Sequence, residues 1–272
     1  MADGRGDPLL SVERSIAVLD LFTSRRGTLT LAEMQELLPW PRTTLHRYAH
    51  SLRQTGMLSY DTRRSRYRLG PKLVRLGAVA LNGLPLAELA GPLLERLVRV
   101  TQVTALLTIW DGDAPLVVRE NDNTDQLVSL KIREGSHLPA YDSAAGQVFL
   151  AFSPTARERF DSQQDPGADL AERERTLAAV RRDGLAYTEV LSGLRAYAAP
   201  VFQAGELVGA ISILGTVSQL PEPGPSEPTT RLLAVCRRLT EALGEESPEE
   251  PGALTGGDLA PEALPRSGVA PE

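Results

Sequence analysis

Residues 11–70 contain three short helical patterns followed directly by a basic hairpin, and this order restricts the possible folds more than any other feature. Ser11 is predicted to cap a first helix that runs to Ser24, because apolar residues recur there at helical spacing. Thr30 followed by Glu33 is a capping box, which predicts the start of a second helix. The apolar stripe of the first helix consists of Val12, Ile16, Leu19 and Phe22.

The third helical pattern opens at Pro41, a residue favoured in the first turn of a helix, and ends at Gly56. One side of this helix is apolar and is expected to pack inward. The other side carries hydroxyl, imidazole and guanidinium groups, which donate hydrogen bonds to phosphates, and arginine also reads guanine in a major groove. The polar side consists of Thr43, His46, Arg47 and His50, with Arg42 and Thr44 at its margins.

Two strand-like runs, Met57–Asp61 and Tyr67–Gly70, flank a connection rich in arginine. A hairpin of this kind can reach the sugar-phosphate edge or the minor groove beside a recognition helix. For each arginine alone, a solvated surface position is the simpler alternative. Three helices followed by a basic hairpin is nevertheless the order of a winged helix-turn-helix, which predicts DNA binding. Three arginines, Arg63, Arg64 and Arg66, are predicted to lie at the tip of this hairpin.

Charge is distributed unevenly along the 272-residue chain, whose net charge is −6. Residues 1–80 carry 13 Arg or Lys and 7 Asp or Glu, a net charge of +6, whereas the remainder has a net charge of −12. A basic first third on an acidic protein indicates a local site for a polyanion, although a solvated basic face would give the same asymmetry. The number of arginines carries little weight, because a GC-rich genome would explain 27 arginines beside two lysines.

Several classes of protein are disfavoured by composition. Cys236 is the only cysteine, which excludes an intrachain disulfide and a multi-cysteine zinc site. No third ligand lies near the histidine pair His46 and His50 in the sequence, so no metal or other cofactor is expected. The N-terminus lacks the apolar core of a signal peptide, and no apolar stretch reaches about 18 residues without a charge. A cytoplasmic protein without membrane contact is therefore expected.

The second half of the chain mixes helical and strand patterns. A helix over Pro85–Gln102 precedes two strands joined at Asp111-Gly112-Asp113, which is a strong hairpin signal. Further strands are predicted over Leu127–Arg133 and in three runs between residues 187 and 214, before a closing helix over Ser226–Leu243. This pattern predicts an α+β domain with a mostly antiparallel sheet.

The N-terminal motifs are specific enough to indicate a family. They are Ser11-Val12-Glu13-Arg14-Ser15, Leu29-Thr30-Leu31-Ala32-Glu33, Thr43-Thr44-Leu45-His46-Arg47 with Leu52 and Gly56, and Arg66-Tyr67-Arg68-Leu69-Gly70. This string resembles the IclR family of bacterial transcriptional regulators. The chain departs from the family pattern at Leu38-Pro39-Trp40-Pro41, where members usually have a turn of glycine and small residues. The resemblance implies base and phosphate contacts from Arg42, Thr43, Thr44, His46 and Arg47, a contact from Arg14, and backbone contacts from the wing.

The second half resembles the same family, whose C-terminal domain is GAF-like and binds a small effector. The expected fold class is α+β, with a winged helix-turn-helix domain over residues 11–70 and a linker helix over 71–84. A GAF-like effector-binding and oligomerisation domain follows over 85–243. Residues 1–10 and the acidic Pro/Gly-rich tail 244–272 are predicted to be disordered. The matching residues are Asp142–Gln147 with Leu150-Ala151, Gly193–Arg195 with Ala198–Val201, and Ile211–Ile213 with Gly215.

Candidate effector residues lie within these C-terminal motifs. Ala144, Ala145 and Gly146 at a helix start would offer backbone N–H groups to an anion or carbonyl, although they would equally permit close helix packing. Ser212 is flanked by isoleucines that point to the other face of its strand, so its hydroxyl would face a cavity or bond to backbone. The remaining candidates are Trp110, Tyr141, Leu191, Arg195, Tyr197 and Leu214, of which Arg195 could instead be a surface ion-pair partner.

The leading hypothesis is a transcription regulator that binds a double-stranded DNA operator and whose operator affinity is changed by a small organic effector. Carboxylic and aromatic acids are the first effectors to test. The linker helix is apolar on more than one face, which favours a homodimer or a dimer of dimers over a monomer. One alternative is a regulator whose C-terminal domain only dimerises or binds protein. An enzyme is the other, although the sequence has no Gly-x-Ser-x-Gly elbow, phosphate loop or metal-ligand cluster.

Overall fold

The architecture was analysed in a computed structural model, which describes residues 9–23, 26–122, 132–163, 170–191, 193–221 and 226–244. The predicted disordered segments 1–10 and 244–272 fall outside the described residues except for Leu9, Leu10 and Gly244, and most of the predicted strand Leu127–Arg133 also falls outside them. The prediction is wrong for Leu10, which begins a helix. Within them, no single helix is long and apolar enough to cross a membrane. The helices Pro71–Asn82 and Pro85–Thr101 together are long and apolar enough, but the pair is bent by 79°.

Three helices form the N-terminal unit: α1 (Leu10–Leu19), α2 (Leu31–Leu37) and α3 (Arg42–Gln54). The predicted capping box is confirmed, because the Thr30 hydroxyl accepts from the Glu33 N–H at 3.2 Å and the Glu33 carboxylate accepts from the Thr30 N–H at 2.7 Å. The core that these helices share holds Val18, Met34, Leu45, Ala49 and Leu58.

The first helix departs from its prediction at both ends. It ends at Leu19 rather than Ser24, because the chain turns so that Leu21 and Phe22 enter the core. Its N-cap is Leu9, without a side-chain cap bond, so the prediction that Ser11 caps this helix is wrong. The predicted apolar stripe is only partly inward, since Val12 and Ile16 are 56% and 50% exposed.

The wing is confirmed as an antiparallel hairpin of β1 (Leu58–Asp61) and β2 (Arg66–Leu69). Leu29 adds a third, single-residue partner, donating to the Tyr67 carbonyl at 3.0 Å and accepting from the Tyr67 N–H at 2.7 Å. A Cβ at Gly70 would lie 2.1 Å from the Gly56 carbonyl oxygen, so glycine is required where the wing returns past the end of α3. These contacts fix the wing beside α3.

Two helices lead into the second unit: α4 (Pro71–Asn82) and α5 (Pro85–Thr101). Although α4 is rich in leucine and valine, none of its residues is buried. Val74 and Val79 are 76% and 63% exposed. By contrast, α5 buries one face, including Ala90 and Leu94, against the sheet that follows.

The further elements of the second unit are β3 (Thr104–Trp110), β4 (Pro115–Asn121), α6 (Ala144–Phe152), α7 (Pro154–Asp161), α8 (Leu170–Asp183), β5 (Ala186–Leu191), β6 (Leu194–Gln203), β7 (Glu206–Thr216) and α9 (Glu227–Ala242). Its sheet has the order β4-β3-β7-β6-β5, and every neighbouring pair is antiparallel. Helices α5 and α9 cover one face, and α6 covers the other with α7 and α8 packed around it. The predicted hairpin turn holds, with φ of +115° at Gly112.

Candidate nucleic-acid interface and ligand site

The exposed side of α3 carries the polar residues that the sequence predicts there. Leu45, Ala49 and Leu52 are buried against α1 and α2, which turns the opposite side outward. No acidic residue occurs in this helix, so its outward face is uniformly neutral or cationic. Arg42, Thr43, His46, Arg47 and His50 are exposed, and Thr44 at the margin is half-buried.

The wing arginines fall into two groups. Arg63 and Arg64 lie in the exposed turn, where the Asp61 carboxylate accepts from both of their backbone N–H groups and shapes the tip. Arg66 is different, because its guanidinium donates to Glu33 at 2.8 Å and to the Thr28 carbonyl at 3.2 Å. The prediction of three arginines at the tip therefore needs correction, since Arg66 ties the base of the wing to α2.

Two arginine–aromatic contacts flank the recognition helix. The Arg14 guanidinium carbon lies 5.6 Å from the centre of the Trp40 ring, which lies 5.9 Å from the ring of Tyr48 on α3. At the other end of α3, Arg53 lies 5.6 Å over the Tyr60 ring of the wing. The sequence had marked Trp40 only as a departure from the family pattern in the turn, not as a site residue.

The ligand-site candidates divide between the two faces of the sheet. Ser212 and Leu214 point toward α6, together with Ala196 and Ala198. Tyr197 pairs with Ile213 and belongs to the opposite face, where its hydroxyl donates to the Pro221 carbonyl at 2.6 Å. The prediction that Tyr197 shares a pocket with Ser212 is therefore wrong.

Arg195 lies on the same face of the sheet as Tyr197. It lies two residues earlier on the same strand, and its guanidinium donates to the Leu220 carbonyl at 3.1 Å. This bond ties β6 to the chain after β7, and the place of Arg195 two residues from Tyr197 puts it on the same face of the sheet, away from α6. For Leu191, the backbone belongs to β5, but its side chain lies outside the part of the chain that the structure describes.

The start of α6 is more tightly packed than the sequence predicts. Ser143 caps the helix by accepting from the Gly146 N–H at 3.0 Å, so that N–H is already bonded. A Cβ at Gly146 would lie 2.1 Å from the Ala140 carbonyl oxygen, which explains the glycine by close backbone approach. Ala144 and Ala145 are each 1% exposed. The prediction of accessible N–H groups is thus wrong for Gly146.

Aromatic residues lie near α6. Trp110 is 5.5 Å from Phe149, and Tyr141 is 6.4 Å from Phe160, measured between ring centres. The Arg173 guanidinium lies 4.9 Å from the centre of the Tyr141 ring. Trp110 and Tyr141 are both half-buried against the cluster that contains α6, so they remain on the same side as Ser212. The sequence did not identify Phe149, Phe160 or Arg173.

Three buried polar atoms on the α6 side have no hydrogen-bond partner among the described residues. They are the hydroxyls of Ser212 and Thr188 and the side-chain carbonyl oxygen of Gln147. Thr188 pairs with Ala196, which pairs with Leu214, so Thr188 shares the face of Ser212. An unsatisfied buried polar group costs about 1–3 kcal/mol. Three such groups on one side of the sheet therefore make this side a candidate ligand site. The sequence had quoted Gln147 within a motif without assigning it to the site.

The described residues do not contain a group of three His, Cys, Asp or Glu side chains that could hold a metal ion. Cys236 is buried in α9, and burial raises the pKa of its thiol to about 12. Its thiol donates weakly to the Ala199 carbonyl at 3.6 Å. A thiol held neutral in this way is a poor nucleophile, which gives Cys236 a packing role.

A winged helix-turn-helix with an exposed cationic recognition helix, joined to a separate α+β domain, defines the class of DNA-binding transcriptional regulators. Within that class, the chain belongs to the IclR family. Residues 11–62 match the IclR helix-turn-helix domain, and residues 78–241 match the C-terminal domain of bacterial IclR transcriptional regulators.

Individual relatives agree with this assignment. The Pca regulon regulatory protein of Pseudomonas putida is 30% identical over 221 residues, which cover 76% of this chain and 75% of that protein. The crystal structure of an IclR regulator from Alicyclobacillus acidocaldarius is 26% identical, with a TM-score of 0.74 over 87% of this chain and all of that one. A Microbacterium hydrocarbonoxydans IclR homologue, solved as a complex with 4-hydroxybenzoate, shares the fold with a TM-score of 0.67 at 24% identity, over 86% of this chain and 98% of that one.

Proposed function

We propose that this regulator binds its operator through the outward face of α3 and the tip of the wing. The observation that carries the proposal is the exposed, acid-free side of α3, on which Thr43, His46 and Arg47 lie together. Arg63 and Arg64 extend the cationic surface into the wing, where they can reach the phosphate backbone of the bound DNA. Arg47 is assigned to a base edge and the wing arginines to phosphates.

The test compares two exposed arginines that lie in different domains. A duplex of about 30 base pairs, long enough for two half-sites one helical turn apart, is first selected from a random pool with the full chain. Arg47→Ala is expected to weaken binding to this duplex at least about fivefold, because one base contact is worth about 1–3 kcal/mol. Arg175→Ala on α8, whose side chain is 73% exposed, is the control and should bind as the wild type does. Equal losses from the two variants would refute the assignment of α3.

We propose a homodimer that pairs through α4. An apolar helix that buries none of its residues within one chain is stabilised when a second copy covers it. Val79→Asp is expected to shift the sedimentation coefficient toward that of a monomer. Val217→Asp, at a valine 42% exposed outside α4, is the matched control. A Val79→Asp protein that sediments as the wild type does would exclude α4 from the interface.

The effector site is proposed on the α6 side of the sheet. Ser212 on β7 and Thr188 on β5 are separated by β6, hence by about 10 Å, the width of two strand spacings. Ala196 and Ala198 lie between them on β6 and present only methyl groups on this face of the sheet. The two hydroxyls can donate to a carboxylate, whereas the free oxygen of Gln147 needs a donor. This combination favours a small hydroxylated carboxylic or aromatic acid.

The effector proposal is tested by melting temperature together with operator affinity. 4-Hydroxybenzoate is a suitable first probe, since it carries a carboxylate and a hydroxyl on one ring, and benzoate is its control without the donor. The hydroxylated acid is expected to raise the melting temperature more and to change the affinity for the selected duplex. A ligand that binds unequally to two arrangements of the dimer shifts the spacing of its two wings. If a whole panel of such acids leaves both quantities unchanged, the domain is better explained as a dimerisation module.

A further inference from the structure

The turn between α2 and α3 holds an aromatic residue between two prolines. Pro39 and Pro41 flank Trp40, and each has its φ angle fixed near −65° by its ring. The backbone N–H of Trp40 donates to the Leu38 carbonyl at 2.7 Å, which closes the turn tightly. The indole ring is therefore attached to a stiff piece of backbone at the entrance to the recognition helix.

This ring lies between two elements of the DNA-binding domain. On one side is Tyr48 of α3, with 5.9 Å between ring centres and 47° between ring planes. On the other side is Arg14 of α1, with 5.6 Å from its guanidinium carbon to the ring centre. Among the described residues, the Arg14 guanidinium stacks on this ring and forms no ion pair with a carboxylate.

We propose that Trp40 is a positioning residue that holds Arg14 against the DNA backbone and links this contact to the recognition helix. The inference rests on the proposed DNA-binding function. A guanidinium stacked on an aromatic ring keeps its N–H edges available, so Arg14 can stack on Trp40 and bond to a phosphate at the same time. Stacking also orders the long side chain before DNA arrives, which lowers the entropy lost on binding.

The Tyr48 contact gives this stack its second consequence. Phosphate contacts fix the register and orientation of a recognition helix without reading sequence. Because Trp40 touches both Arg14 and Tyr48, a phosphate held by Arg14 is mechanically connected to α3. Trp40 should therefore influence affinity for any duplex, selected or random, whereas Arg47 should influence the choice of sequence.

The experiment is a double-mutant cycle on the full chain, using the selected duplex and a random duplex as probes. Trp40→Phe keeps an aromatic face and is expected to bind within about twofold of the wild type. Trp40→Leu keeps apolar bulk without that face and is expected to lose about two- to fivefold per DNA-binding domain, the range of an exposed cation–π contact. Arg14→Ala should lower the dependence of log affinity on log salt by about one per domain.

Coupling between the two positions decides the proposal. Arg14→Ala should cost the same as the double variant with Trp40→Leu, because without the Arg14 guanidinium the ring has no side chain left to position. Multiplicative losses in the double variant would overturn the proposal. If Trp40→Leu melts early, Trp40→Met, which also lacks an aromatic face, takes its place in the cycle. Failure of Arg47→Ala to weaken binding would instead refute the underlying DNA-binding assignment.

Discussion

Removing the Ser212 hydroxyl is expected to stabilise the ligand-free protein. Ser212 is 4% exposed, and its hydroxyl has no hydrogen-bond partner among the described residues. In the unfolded chain the same hydroxyl bonds to water, so folding without ligand gives up that bond and gains none. A serine in this position costs free energy that alanine would not.

The size of the effect follows from the unsatisfied group. A buried hydroxyl without a partner costs about 1–3 kcal/mol, and the small void left by the missing oxygen offsets part of the gain. We expect Ser212→Ala to raise the free energy of unfolding by about 1 kcal/mol. For a domain of this size, that corresponds to a rise in melting temperature of about 2–4 °C.

Thr108→Val is the matched control on the same face of the sheet. Thr108 is fully buried, and its hydroxyl donates to the Ala210 carbonyl at 3.1 Å. Removing a satisfied donor leaves that carbonyl with one bond fewer, so this variant should lose about 1 kcal/mol. The two hydroxyl deletions are therefore expected to have opposite signs, measured by thermal and urea unfolding without ligand.

The reasoning is refuted if Ser212→Ala destabilises the protein as Thr108→Val does. That result would mean that the Ser212 hydroxyl is bonded within the fold, and the main support for a ligand on the α6 side would disappear. If the expected sign is found, the same variant should also show a smaller ligand-induced rise in melting temperature, because it has lost a donor to the ligand.

Three further predictions concern packing and titration. Gly146→Ala should lower urea stability by about 1–3 kcal/mol, because its Cβ would overlap the Ala140 carbonyl at 2.1 Å, and wild-type stability would contradict the packing. Native Cys236 should resist alkylation at about pH 8 and react only after unfolding, since burial raises the pKa of its thiol to about 12. The stability that this neutral thiol contributes is lost as pH rises toward that value. The Thr30 N–H, together with smaller side-chain contributions, lowers the pKa of Glu33, so its stabilising effect is present above the ordinary glutamate pKa and lost as pH falls through the lowered one. Glu33→Gln should therefore flatten the acid limb of the melting profile, and an unchanged limb would contradict this.

Local sequence signals predicted the DNA-binding unit well. The capping box at Thr30, the two faces of α3 and the wing hairpin depend on residues only a few positions apart, so their spacing carries the information. The end of α1 was missed, because Leu21 and Phe22 leave helical geometry in order to reach a core formed by distant residues. Tertiary burial prevailed there over helical periodicity.

Long-range pairing determined the rest. Nothing near Arg66 in the sequence indicates that its guanidinium bonds to Glu33, 33 residues earlier, and so does not lie at the wing tip. Likewise, the stack of Arg14 on Trp40 joins α1 to the turn before α3, and only packing brings these two segments together. Such contacts depend on how α1, α2 and the wing assemble, which spacing along the chain does not encode.

The ligand site shows the division most clearly. By itself, the sequence determined that Ser212 and Ile213 point to opposite faces of one strand, because side chains alternate along every strand. It could not determine which of those faces Tyr197 shares, since that depends on the register between two strands, and a shift of one residue reverses the answer. The tertiary structure pairs Tyr197 with Ile213 and thereby places it on the face away from Ser212.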